Sequence, residues 1–360
     1  MRHTVQHVVH IMGARPNFMK VAAVHSALDG RARQTIVHTG QHYDAQMSAV
    51  FLHDLGLPDP DVNLEVGSAT HAVQTAKVMT ALEPVLLEKR PDLVLVYGDV
   101  NSTAAAALVC AKLPIPVAHV EAGLRSGDRT MPEEINRIVT DAVADVLFTP
   151  SADADEHLRA EGIPADRIRL VGNVMIDTLI RLLPRTDPDA IMRRLGVAKP
   201  FVLVTLHRPS NVDEPASLLS LRHTLSAIGE RVDVLFPVHP RTRQRLADLD
   251  GAPVSRLRLI DPLSYIDFLG LQQTAAVVVT DSGGIQEETT YLGVPCVTVR
   301  ENTERPITIS LGTNILVGHD RERLFHEVMR AIGGERRSGQ IPPLWDGCAG
   351  QRIAEAVLSL

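Results

Sequence analysis

Short apolar runs alternate along the chain with longer mixed stretches of helical period, and the apolar runs end in clusters of glycine and polar residues. That alternation predicts parallel sheets whose strands are joined by crossover helices. The first strand is Gln6 to Met12, ending in Gly13-Ala14-Arg15-Pro16-Asn17, and Phe18 to Leu28 follows as a helix. Thr35 to Thr39 is the second strand, before the polar loop Gly40-Gln41-His42-Tyr43-Asp44. A helix from about His71 to Lys89 precedes Leu93 to Tyr97, the sharpest strand of this half. Next come Gly98 to Thr103, an alanine-rich helix to Lys112 stopped by Pro114-Ile115-Pro116, and strand Val117 to Val120. Asp99 and Glu121 therefore stand at the ends of successive strands, and right-handed crossovers put both carboxylates on one edge of the sheet.

A helix opens at Pro132-Glu133-Glu134, strand Val146 to Phe148 leads to a helix ending near Glu161, and Arg169 to Asn173 closes a first domain. Arg181 to Lys199 reads as a connection. Further strands are Phe201 to Leu206, Val232 to Phe236, Leu257 to Ile260, Ala275 to Val279 and Pro295 to Val299, with a long helix over Ala216 to Gly229. The expected fold is α/β: two Rossmann-like doubly wound domains, residues 1–173 and 174–345, facing across a ligand-binding cleft. Residues 346–360 form an apolar helix expected to dock back on the domains.

Asp281-Ser282-Gly283-Gly284 turns a buried strand into a helix carrying Gln286, Glu287 and Glu288. Free N–H groups and the dipole at that helix start favour an anion, and glycines let a phosphate approach the backbone. An ordinary turn with a serine cap is the plainer reading, though Gly-Gly opening a helix is costly without a reason. Arg15 and Lys20 add two cations near the first helix, and Arg305 before Pro306 is a candidate phosphate clamp. Asp99, Glu121 and Glu133 are candidate acid/base groups, since three carboxylates gathered together repel and so titrate closer to neutrality. Against this, Asp99 could cap a helix, and Glu133 and Glu134 suit a helix start on dipole grounds alone. His207, at a strand end, reads as a capping or core histidine.

Composition narrows the field. The 360 residues exceed what one core usually supports, and 45% apolar content suits a globular protein. A net charge of −7 with scattered arginines argues against a nucleic-acid partner. No window is apolar enough for a membrane span, and Val8 to Met12, broken by His10, does not read as a signal peptide. Three dispersed cysteines, Cys110, Cys296 and Cys348, fit a reducing cytoplasm. The histidines form no metal-binding spacing, so no metal is expected. The chain has no Gly-x-Gly-x-x-Gly dinucleotide fingerprint.

Together, these segments resemble the non-hydrolysing UDP-N-acetylglucosamine 2-epimerases, of the two-domain glycosyltransferase-B (GT-B) fold. The likeness spans nearly the whole chain: Gly13 to Lys20, Gly98 to Thr103, His119 to Arg125, Pro132 to Arg137, Thr205 to Pro209, Thr280 to Glu288 and Thr303 to Pro306. It implies inversion at C2 of a UDP-amino sugar without a cofactor, through elimination of UDP to a 2-acetamidoglucal and re-addition. By the same likeness Asp99, Glu121 and Glu133 are the acid/base carboxylates, and His207 assists phosphate departure. Ser282, Gly283 and Gly284 hold the diphosphate, Glu288 the ribose, and Arg15, Lys20 and Arg305 make further nucleotide contacts. The Leu263 to Phe268 loop corresponds to the uracil-binding segment. A homodimer is implied as well.

Departures from the family pattern mark the sugar site. Ser210 and Ile307 stand where many members carry Glu, which points to a modified sugar or an altered activity. The segment Gly67-Ser68-Ala69-Thr70-His71 lacks the Arg-Gln pair of members activated by their own substrate, although Gln41 and His42 match. A hydrolysing relative releasing N-acetylmannosamine, a GT-B glycosyltransferase and a catalytically idle nucleotide-sugar binder are the alternatives. Four retained acid/base residues argue against the last.

Overall fold

Leu93 to Tyr97, Val117 to Val120 and Val277 to Thr280 are buried at every position. Such runs are central strands covered by helices on both faces, which is why they show no alternation of polar and apolar residues. The computed structural model describes residues 5–40, 51–247, 256–335 and 337–360. It divides into two units, Met1–Arg181 with Pro343–Leu360, and Leu182–Pro342.

In the first unit the strands are β1 (His7–Met12), β2 (Arg33–His38), β3 (Val62–Asn63), β4 (Leu93–Tyr97), β5 (Val117–Val120), β6 (Val146–Thr149) and β7 (Ile168–Leu170). Its helices are α1 (Arg15–Leu28), α2 (His71–Lys89), α3 (Asn101–Lys112), α4 (Pro132–Val143), α5 (Ala152–Ala160) and α6 (Val174–Leu182), which runs one residue into the second unit. The second unit continues with α7 (Pro188–Leu195), β8 (Phe201–Thr205), α8 (Pro209–Val212), α9 (Pro215–Gly229), β9 (Asp233–Pro237), α10 (Pro240–Ala247) and β10 (Leu257–Ile260). Then come α11 (Tyr265–Gln272), β11 (Val277–Thr280), α12 (Gly283–Leu292), β12 (Cys296–Thr298), α13 (Ile307–Ser310), β13 (Asn314–Leu316) and α14 (Arg321–Ile332). The terminal helix α15 (Ala349–Leu358) belongs to the first unit.

Both sheets are wholly parallel and doubly wound. The first has the order β3-β2-β1-β4-β5-β6-β7 and the second β10-β9-β8-β11-β12-β13. Strand order reverses between β1 and β4 in one sheet and between β8 and β11 in the other. Ligands of such sheets bind outside the carboxyl ends of the strands at these switch points. In register, Val8 faces Leu93 in the first unit, and Thr280 faces Thr205 in the second.

Two differences from the sequence reading have local causes. Helix α1 starts at Arg15 rather than Phe18, because Pro16 suits a first helical turn, where its missing N–H is not needed. Helices α8 and α13 and strands β3, β7 and β13, all two to four residues long, escaped the reading because so short a segment carries no periodicity. Helix α15 packs on α1, with Gly350 so close that an added Cβ would lie 2.6 Å from the Ala23 carbonyl oxygen. Asp177 accepts the Ala349 and Gly350 N–H groups at 3.2 and 2.7 Å, fixing the start of α15. No helix among the described residues is long and apolar enough to cross a membrane.

Candidate active site

At the first switch point, the loop after β1 is tied down by Asn17. Its Oδ1 accepts the N–H groups of Gly13 and Ala14 at 3.2 and 3.1 Å, and its Nδ2 donates to the Tyr97 carbonyl at the end of β4 at 2.8 Å. Lys20, one turn further, is buried and donates to Glu121 Oε1 at 2.7 Å. Gly98, with φ of +62°, leaves room for that contact: a Cβ there would fall 2.5 Å from Lys20 Nζ. Glu121 itself has a φ of +74°, a conformation that costs a non-glycine residue and clusters at functional positions.

Asp99 follows Gly98 and is one-quarter exposed, paired with the buried guanidinium of Arg137 from α4. Val100, not Asp99, is the N-cap of α3, so the capping alternative does not hold. Glu133 sits half-buried in the first turn of α4, while Glu134 beside it is buried and fully engaged. Glu134 accepts from the N–H groups of Ser126 and Gly127 at 3.0 and 2.9 Å and from Arg137 Nη2 at 2.6 Å. Burial alone would raise its pKa, but these donors outweigh it and hold the carboxyl below the usual range. The mutual repulsion expected of the carboxylates is thus met locally by cations, Lys20 on Glu121 and Arg137 on Asp99.

Behind these residues His119 bridges the loops. Its Nδ1 meets Asp141 Oδ1 at 2.6 Å and its Nε2 the Gly98 carbonyl at 2.8 Å. Asp141 also accepts Gly123 N–H at 3.1 Å and Arg125 Nη1 at 2.7 Å. Its burial is offset by His119 and Arg125, which lower its pKa.

In the second unit β11 delivers Asp281, Ser282 and Gly283 to the switch point. Ser282 is the N-cap of α12 but makes no side-chain capping bond among the described residues, so the serine-cap reading is not what the structure has. Gly284 lies in the first turn of α12, where N–H groups have no partner inside the helix. Gly283 is required by a neighbour: an added Cβ would meet Arg305 Nη1 at 2.3 Å. Arg305 is buried, bridging Glu287 at 2.9 Å and Glu304 at 2.6 Å. Arg300 reaches the other oxygen of Glu304 at 2.7 Å.

Glu288 is buried on α12 and accepts the Tyr265 hydroxyl at 2.8 Å. Burial drives its pKa from 4.5 up to about 7, against the lowering effect of the tyrosine bond. His207, at the end of β8, is two-thirds exposed and its Nδ1 lies 3.0 Å from Asp281 Oδ1. Leu263 and Phe268 flank the start of α11, capped by Ser264, and pack partly buried against the core around Phe201 and Leu271. Ser210 is exposed on α8 and Ile307 half-buried at the start of α13.

Arg15 opens α1, but its side chain lies outside the described residues, as do Gln41 and His42. His71 opens α2 with its Nδ1 at 3.1 Å from Asn101 Nδ2. The sequence reading missed the supporting roles of Arg137, Asp141, Tyr265 and Asp281. Arg137, Tyr265 and Asp281 stood within recognised segments, but nothing in a sequence shows which distant group each one meets.

A family described as UDP-N-acetylglucosamine 2-epimerase matches residues 26–358 of the chain. The UDP-N-acetylglucosamine 2-epimerase of Methanocaldococcus jannaschii is 40% identical over 354 residues, 95% of this chain and 96% of that protein. The UDP-2,3-diacetamido-2,3-dideoxy-D-glucuronate 2-epimerase of Pseudomonas aeruginosa is 41% identical over 360 residues, 98% of this chain and 99% of that protein. The crystal structure of the Methanocaldococcus jannaschii UDP-GlcNAc 2-epimerase in complex with UDP-GlcNAc and UDP matches with a TM-score of 0.88 at 39% identity, covering 98% of this chain and 99% of that one. The chain belongs to the UDP-N-acetylglucosamine 2-epimerase family.

Proposed function

We propose that this protein inverts C2 of a UDP-N-acetylhexosamine, interconverting UDP-N-acetylglucosamine and UDP-N-acetylmannosamine. The observation that carries the reading is the pair of carboxylates at adjacent strand ends, Asp99 held by Arg137 and Glu121 held by Lys20. One carboxylate takes the C2 proton as the C1–O bond breaks. The bonding electrons go to the β-phosphate oxygen, and C1=C2 closes in the 2-acetamidoglucal. A carboxylate of the set Asp99, Glu121 and Glu133 then returns a proton to the other face of C2, and UDP adds back at C1. C2 changes hand through a proton lost and regained, so no hydride carrier is needed. In the second unit Ser282, Gly283 and Gly284 at the start of α12 hold the diphosphate, with Arg305; the family likeness makes Arg15 and Lys20 further nucleotide contacts. Glu288 takes the ribose hydroxyls, Leu263 and Phe268 border the uracil, and His207 assists the departing phosphate.

A second reading is the same epimerisation on a modified UDP-amino sugar. It is favoured by Ser210 and Ile307 in place of the family's Glu residues, and by the Pseudomonas aeruginosa relative, whose name specifies a diacetamido uronate. Incubation in D₂O without acceptor separates the readings. UDP-N-acetylglucosamine should gain deuterium at C2 and reach equilibrium with UDP-N-acetylmannosamine. Free N-acetylmannosamine with UDP would mean hydrolysis, turnover of a diacetamido sugar alone would select the second reading, and inertness toward both would refute the epimerase. Asp99→Asn should abolish exchange and leave UDP binding. The family likeness also supports a homodimer working in the cytoplasm, and light scattering on the purified protein checks the former.

A further inference from the structure

Asp281 is fully buried at the end of β11, yet among the described residues no Arg or Lys side chain meets its carboxylate. Its partners come from the loop after β8 and from α8. It accepts His207 N–H at 3.1 Å, Arg208 N–H at 2.9 Å and Asn211 Nδ2 at 3.0 Å, and the His207 ring brings Nδ1 to ion-pair distance, 3.0 Å from Asp281 Oδ1. Arg208 Nε bonds the backbone oxygen of Asp281 at 3.1 Å, and Asn211 also donates to the Val299 carbonyl at 3.0 Å, so the loop is pinned on both sides. The other charged groups nearby are occupied among themselves: Arg208 Nη2 lies 3.8 Å from Glu304, which pairs with Arg300 and Arg305. Burial would favour the neutral acid, but His207 and the surrounding N–H groups outweigh it and lower the pKa of Asp281.

An ionised carboxylate only accepts, so the imidazole nitrogen it meets must carry a proton. The other nitrogen, on a ring that is 66% exposed, makes no hydrogen bond among the described residues.

We propose that Asp281 is a positioning residue for His207: its buried carboxylate keeps Nδ1 protonated and offers Nε2 to the departing β-phosphate oxygen. The inference rests on the epimerase reading above. As the C1–O bond breaks, its electron pair becomes charge on the β-phosphate oxygen. The imidazolium Nε2–H donates its proton there and takes it back on re-addition. Asp281 stabilises the cationic ring in between, as carboxylate–histidine pairs do wherever one nitrogen must be fixed and the other must act. The same residue begins the Ser282-Gly283-Gly284 turn, so the imidazole and the helix start proposed to hold the diphosphate are set by one side chain and its own backbone.

Nitrogen-15 NMR of the wild-type protein, with the His207 signals identified by their loss in His207→Gln, reads the tautomer without any substrate. Nδ1 should remain protonated through the titration, and a neutral ring protonated at Nε2 would overturn the proposal. In UDP-N-acetylglucosamine turnover, Asp281→Asn should lower kcat roughly 100-fold with little change in KM. In a His207→Gln background the same substitution should cost less than about threefold. A full loss in that background would overturn the proposal, because Asp281 would then act without the imidazole. A wild-type protein that exchanges no deuterium at C2 refutes the epimerase reading, whereas the tautomer measurement stands or falls independently.

Discussion

Replacing Glu288 by Gln should change the stability of the protein in a way that depends on pH. The carboxyl is fully buried on α12, and its pKa is pushed from 4.5 to about 7. A carboxyl that binds its proton more tightly in the folded state stabilises that state at low pH. The contribution is complete below pH 4.5, declines as pH rises, and is gone above pH 7. At about 1.4 kcal/mol per pH unit, the swing amounts to about 3 kcal/mol. Gln cannot ionise, and its carbonyl can still accept the Tyr265 hydroxyl, which lies 2.8 Å from Glu288 Oε1. Glu288→Gln should therefore match or fall slightly below wild type in acid and exceed it by about 3 kcal/mol in mild alkali. Equilibrium urea unfolding of the ligand-free protein across that range measures the difference. A stability difference that stays flat with pH would refute the assignment of a proton to native Glu288. The proposed ribose role adds a second readout. Two hydroxyl donors favour the carboxylate, so UDP binding should expel up to about one proton near pH 6, seen by calorimetry in buffers of different ionisation heat. No proton release there would detach Glu288 from the ribose.

Gly283→Ala should weaken UDP binding by about tenfold, since its Cβ would fall 2.3 Å from Arg305 Nη1 in a guanidinium held between Glu287 and Glu304; an unchanged Kd by calorimetry would oppose this. Glu134→Ala strips Arg137 of its bond to Glu134 Oε2 and frees the Ser126 and Gly127 N–H groups, so it should cost about 3 kcal/mol in urea unfolding. A loss under about 1 kcal/mol would make that lock dispensable. Gly350→Ala places a methyl 2.6 Å from the Ala23 carbonyl oxygen and should lower stability by about 1–3 kcal/mol, read as an earlier unfolding midpoint of the first unit.

Much of this architecture was legible because a parallel sheet writes its strands as unbroken apolar runs. The matches are close at Leu93–Tyr97 and Val117–Val120, where polar clusters and glycines bracket the run. The edge strand β3 was not legible: Val62–Asn63 is two residues long and its pairing depends on β2, which no local pattern announces. The candidate site divides in the same way. Asp99, Glu121, His207 and Ser282 stand out because strand ends at a switch point collect polar residues. Their partners do not, because Lys20 is 101 positions from Glu121, Arg137 is 38 from Asp99, and Asp281 is 74 from His207. Sequence therefore exposed the carboxylates and suggested repulsion, while only the fold brings the cation to each.

Apart from the additional strand β7, the two sheets share one strand order, yet their switch points have opposite chemical characters, and the difference lies in how each spends its N–H groups. After β1, Asn17 takes the Gly13 and Ala14 N–H groups with its own side chain, and Pro16 supplies none, so the start of α1 offers little to an anion. What it contributes instead is Lys20, directed at Glu121. After β11, Ser282 leaves the start of α12 uncapped by its side chain and Gly283 keeps the approach open beside Arg305. The carboxylate that could have filled this helix start, Asp281, is turned back toward His207 and Arg208. One topology thus yields a carboxylate centre in the first unit and an anion-receptive helix start in the second. Exchanging their characters would require changing the residues that consume the N–H groups, not the strands that carry them.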